Sequence, residues 1–151
     1  MSIEKLNADI KTAMKSGQRE VAVTLRGILA IGKSLAKNDK DREMTDEDII
    51  TAATKSKKEA VEGISIYKDL EGPVAQENYL RNVRLEKLAS EYLPTQLSED
   101  EITIKLHTII QTTGATTMKD MGKVMGIFNK ENAKGTFDGG LVSKIVRTRL
   151  N

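Results

Sequence analysis

The sequence predicts an all-α protein in two parts: an N-terminal bundle of long helices over 1–94 and a small C-terminal three-helix domain over 95–151. Three observations predict it. First, apolar residues recur at spacings of three and four almost throughout, and no segment alternates like a strand for more than four or five residues. Second, the 151 residues include only two Phe, three Tyr and no Trp, so the core must be aliphatic, a composition that favours helices over sheets. Third, YLPTQLSEDE at 92–101 is the clearest punctuation in the chain: Pro94 disfavours helix at Leu93, Ser98 with Glu101 forms an S-x-x-E capping box, and the acids at 99–101 suit a positive helix N-terminus.

The elements follow in order. Ile3, Leu6, Ile10 and Met14 mark a first helix, which Gly17 interrupts. Val21, Leu25, Ile28, Gly32 and Leu35 form a seam-like stripe suited to long antiparallel helices. The polar run 37–43 breaks the pattern. Thr45 with Asp48 then resembles a capping box ahead of a helix carrying Ile49, Ala53, Ala60, Ile64, Tyr67 and Leu70. Gly72-Pro73 ends that helix and starts another, through Leu80, Leu85, Leu88 and Tyr92. Beyond the punctuation, Ile102, Leu106, Ile109 and Ile110 mark a helix that stops at Thr113-Gly114. Thr117 with Asp120 caps a second, carrying Met118, Met121, Val124, Met125 and Phe128. The last runs from about Leu141 to near Leu150. Ahead of it, Gly135 permits a tight turn, Phe137 is expected to plug the small bundle, and Asp138 to cap the helix.

Charge is distributed unevenly. Residues 1–97 hold 16 Lys/Arg and 16 Asp/Glu, whereas 102–151 hold eight cations against Asp120, Glu131 and Asp138, a net of +5. Such an excess suits a polyanion partner, although small helical domains also carry it with no partner at all. Without cysteine there is no disulfide, thiolate metal site or cysteine catalysis. The N-terminal segment is amphipathic and contains acids, unlike a signal or transit peptide, and no apolar run is long enough for a membrane span. A cytoplasmic location, with no membrane contact, is the expectation.

No catalytic constellation emerges. His107 is the single histidine and has no companion motif, so no metal site or histidine triad is expected. Ser34–Lys37 and Ser2–Lys5 match S-x-x-K but lack the partner motifs of acyl-enzymes. There is no P-loop, and no strand precedes the 134–140 glycines, so no nucleotide cofactor is expected. Gly122 and Gly126, within a helical pattern, each cost about 1 kcal/mol relative to Ala. A close helix–helix approach is the favoured reason, and close approach of a sugar–phosphate backbone the other.

AMKSGQREVAVTLRGIL (13–29), EYLPTQLSEDEI (91–102), TTMKDMGKVMG (116–126) and DGGLVSKIV (138–146) occur in the order expected of the GatB/YqeY family, and the chain resembles its free-standing YqeY-like members over essentially its whole length. The resemblance implies the same two-part helical fold. It implies kinship with the tail of the B subunit of tRNA-dependent amidotransferases, which helps hold tRNA. It points to Lys119, Gly122, Lys123, Asp138, Gly139 and Leu141. The reading it supports is a non-catalytic accessory protein that binds tRNA or other structured RNA, with a possible protein partner in translation. Lys119, Lys123, Lys134, Lys144, Arg147 and Arg149 would meet phosphates, and Gly139-Gly140 would offer helix N–H groups. Ser98, Thr117 and Asp138 are structural caps. One alternative is a helical protein–protein interaction module. Another is the glutamine-dependent carbon–nitrogen ligase activity that the family label implies. One departure stands out: where the family commonly reads G-R-A-D-G, this chain reads Gly135-Thr136-Phe137-Asp138-Gly139, which removes an arginine suited to phosphate.

Overall fold

The computed structural model describes residues 2–150. Among them are seven α-helices and one 3₁₀ turn, with no strand. The chain divides into two compact units, Met1–Leu93 and Pro94–Asn151. None of the described helices is long and apolar enough to cross a membrane.

The first unit contains α1 (Ser2–Lys15), α2 (Arg19–Asn38), α3 (Asp46–Tyr67) and α4 (Pro73–Ser90). Leu6 and Ile10 of α1, Leu25 and Ile28 of α2, and Ile49, Ala52 and Ala53 of α3 meet in one core, closed by Ala89 and Tyr92 at the end of α4. The α2 seam is narrower than the stripe predicts: Leu25, Ile28 and Gly32 are buried with Ala22 and Ala36, while Val21 and Leu35 are half-buried. Gly32 has a packing reason, because a Cβ there would lie 3.0 Å from Ile49 Cδ1. Small side chains line the α3 seam at Ala53, Ser56, Ala60 and Gly63, which lets α4 come close. Leu70 and Leu80, read above as part of the apolar stripes, are exposed instead. Leu70 lies past the end of α3, so its place in the three-four pattern is not a place on the helix.

The second unit contains α5 (Glu99–Thr113), a 3₁₀ turn (Met118–Asp120), α6 (Met121–Glu131) and α7 (Gly139–Arg149). Its core joins Ile102, Leu106 and Ile109 to Val124 and Phe128, and to Val142, Ile145, Val146 and Leu150. Phe137 meets Phe128 edge-on, ring centroids 4.9 Å apart, in the geometry aromatic pairs prefer. Met121 and Met125 are half-buried against this core. Met118 is not a core residue as expected; it is 43% exposed, because the chain enters α6 through a 3₁₀ turn rather than a full α-helical turn.

Candidate functional site

Three polar caps set where the helices of the second unit begin. Ser98 Oγ accepts the Glu101 N–H at 3.2 Å, and the Glu101 carboxylate accepts the Ser98 N–H at 2.8 Å. That backbone donor, with the Ser98 side chain, holds Glu101 below the usual carboxylate range. The Asp120 carboxylate accepts N–H groups of Thr116 at 3.1 Å and Thr117 at 3.2 Å, which lower its pKa in the same way. Thr117 thus opens the 3₁₀ turn, and α6 starts one turn later than the capping pattern suggests. Gly114 closes α5 in the left-handed conformation, at φ 68°.

These caps fix the orientation of α6. Val124 and Phe128 point into the core, so Gly122, Lys123, Gly126, Asn129 and Lys130 lie on the opposite, exposed arc. A Cβ added at Gly122 or Gly126 would meet nothing within 4 Å. The close helix–helix approach favoured from sequence is therefore absent: these glycines leave a bare strip of helix backbone facing outward. Lys123 and Lys130 flank it on one side, and Lys119 stands just before it. Lys130 was missed in the sequence reading, although its spacing of four from Gly126 puts it on the strip.

On α7, Val142, Ile145 and Val146 face inward and Lys144 and Arg147 outward, one turn apart. Arg149 lies in the last turn, where a cation also suits the negative helix end. Lys134 is exposed in the preceding loop. Among the described residues, none of Lys119, Lys123, Lys130, Lys134, Lys144, Arg147 and Arg149 has an acidic partner within 4.0 Å, whereas the first unit contains every ion pair found.

The start of α7 differs from the expectation. Gly139 and Gly140 were to offer free N–H groups to a phosphate. The Gly140 N–H is instead held by Asp138 Oδ1 at 2.8 Å, with the Leu141 N–H at 3.4 Å from the same oxygen. A carboxylate already sits where an anion would bind, which disfavours a second negative charge there. The neighbouring loop is committed to a turn: Gly135 has φ 83°, the Thr136 hydroxyl donates to the Ala133 carbonyl at 2.6 Å, and the Thr136 carbonyl accepts the Leu97 N–H at 2.6 Å. The Gln96 amide also donates to the Gly135 carbonyl.

A protein-family model described as Yqey-like protein matches residues 3–150. The chain belongs to this family. No curated protein sequence matches it. In this Yqey-like chain His107 is exposed on α5, and among the described residues no group of three or more His, Cys, Asp or Glu is placed to hold a metal ion. The position where Yqey-like relatives were expected to carry arginine, Thr136, serves the backbone of the loop.

Proposed function

We propose that this Yqey-like chain is a non-catalytic, cytoplasmic RNA-binding accessory protein whose C-terminal unit grips the backbone of tRNA or another structured RNA. The observation that carries this reading is the exposed arc of α6, where two glycines with open space around them lie beside Lys119, Lys123 and Lys130, none of them within 4.0 Å of an acid among the described residues. Glycine in an exposed helix face costs stability, and close approach of a sugar–phosphate backbone is a use for the space. Lys134, Lys144, Arg147 and Arg149 add exposed positive charge on the same unit. With two Phe and three Tyr in the chain, and both Phe engaged with each other, recognition is by shape and phosphate rather than base stacking.

The test is a gel-shift titration with total tRNA at low and moderate salt. Wild type is expected to bind with a slope of roughly −0.7 to −0.9 in log affinity against log salt for each phosphate contact. Lys119→Glu/Lys123→Glu is expected to weaken binding at least tenfold and to flatten the slope by about two contacts. Absence of binding by wild type at low salt, or an unaffected double variant, overturns the proposal.

A second reading, a protein–protein interaction module, draws on the α3–α4 hairpin, where Val61, Ile66, Val74 and Leu80 are exposed together with Leu70 of the connection. Partners that survive RNase treatment in a crosslinked pull-down favour it over the first.

A further inference from the structure

The first unit contains a groove of about 230 Å³ between α1, the start of α2 and the end of α4. Its floor is apolar, from Ala13, Val21, Leu25 and Leu88. Its rim is built from Lys5, Asp9, Glu91 and Tyr92. The Lys5 ammonium lies 2.7 Å from Asp9 Oδ2, 3.9 Å from Glu91 Oε2 and 4.2 Å from the centre of the Tyr92 ring. The Tyr92 hydroxyl donates to Asp9 Oδ2 at 2.5 Å. Partial burial pushes Asp9 up, but the hydrogen bonds from Lys5 and Tyr92 and the Lys5 charge hold it net below the usual carboxylate range, so it stays an acceptor at neutral pH.

The rim therefore sets two carboxylates against one ammonium, beside an aromatic face that already receives a cation. The charge left over is negative, which turns phosphate away and calls for a cationic guest. Small-molecule sites commonly occupy about 300–1,000 Å³. This groove is smaller and suits a single long side chain, with its methylene stem on the apolar floor and its charged head at the rim. A guanidinium fits this arrangement better than an ammonium, because its planar fork can address two carboxylates and stack on a ring. Lys5 is itself about half exposed, so its head can swing into solvent while a guanidinium takes over its contacts to Asp9, Glu91 and the Tyr92 ring.

We propose that this groove receives an arginine side chain presented by a protein partner, at a surface independent of the C-terminal cations. The probe is the peptide acetyl-Gly-Arg-Gly-amide, titrated into the ¹⁵N-labelled full chain. The same peptide with neutral citrulline in place of arginine is the control. Saturable shifts are expected for the amides of Asp9, Ala13, Val21, Leu88 and Tyr92, with a Kd in the millimolar range, as befits one side chain. The citrulline peptide is expected to bind at least tenfold more weakly. Glu91→Gln, at an exposed position, is expected to weaken the arginine peptide severalfold without altering the thermal melt, and Lys5→Met to strengthen it by removing the resident cation. The proposal is overturned by equal binding of the two peptides, by no saturation up to about 10 mM, or by an unaffected Glu91→Gln. Tighter binding of spermidine to the same amides overturns it in favour of a free polyamine. Concentration-dependent shifts of those amides without peptide overturn it in favour of a second copy of the chain.

Discussion

Asp48 is one of two polar side chains buried among the described residues, and it works harder than a capping position requires. Its carboxylate accepts the Thr45 N–H at 2.8 Å and takes both arms of the Arg42 guanidinium, at 2.7 and 2.8 Å. Arg42 also holds Asp39 at 2.7 Å, so one cation ties the end of α2 to the start of α3. Hydrogen bonds from Arg42, the first cause, and from Thr45 outweigh desolvation and hold Asp48 well below the usual carboxylate range. A folded-state pKa lowered in this way contributes stability that is complete above the unfolded value of about 3.9 and is lost as pH falls below it. Asp48→Asn is expected to cost about 2 kcal/mol at pH 7, from the weakened cap and the lost charge-assisted bonds. Urea melts of both proteins between pH 7 and pH 3 should show the difference shrinking as the acid end is approached. At the other unit, Asp138→Asn is expected to preserve α7, since Asn caps as well as Asp. It should also strengthen RNA binding modestly by removing the carboxylate at that helix end, a change a gel shift can read.

At the scale of elements, two sets of glycines separate packing from function. Gly63 on α3 has no room: a Cβ would lie 2.4 Å from the Asn82 side chain, which donates to the Asn78 carbonyl at 2.8 Å. Gly63→Ala forces the end of the half-buried Asn82 side chain off its present rotamer and is expected to destabilise by about 0.5–1.5 kcal/mol, and Asn82→Ala in the same chain should recover the loss, a coupling that a double-mutant cycle measures. Gly122 and Gly126 are the reverse case. Alanine at either has space and is expected to stabilise by about 0.5–1 kcal/mol. If the bare strip meets RNA, the same substitutions should lower affinity while raising Tm, a pairing that a purely structural role does not produce. The helices themselves were legible from apolar spacing and from Thr45, Ser98, Gly114 and Asp138, because these signals are local. The two glycine sets were not. Gly122 and Gly126 look like a packing motif in sequence, and only the orientation imposed by Val124 and Phe128 turns them outward. Gly63 gave no signal, since its neighbour Asn82 is 19 residues away on another helix. The Asp9–Tyr92 contact was hidden for the same reason on a larger scale.

At the scale of the molecule, each unit has its own core, and each should lose protection separately. Phe128 is fully buried at the centre of the second core. Phe128→Ala is expected to cost about 3–5 kcal/mol, which is a large share of what a unit this small can muster. Amide hydrogen exchange should collapse in Pro94–Asn151 while the amides of Met1–Leu93 keep their wild-type protection; uniform loss across both would show a single cooperative unit instead. The first unit has a property in time as well. Asp9 is bonded to Tyr92 across 83 residues, and Tyr92 lies next to the last residue of its unit. On a ribosome adding about 5–20 residues per second, Asp9 waits roughly 4–17 s after its own synthesis before its partner exists. Packing of α1 against α2 and α3 is open to the chain earlier, so what the end of the unit adds is the Tyr92 ring beneath Lys5 and the hydroxyl bonded to Asp9, a latch that closes last.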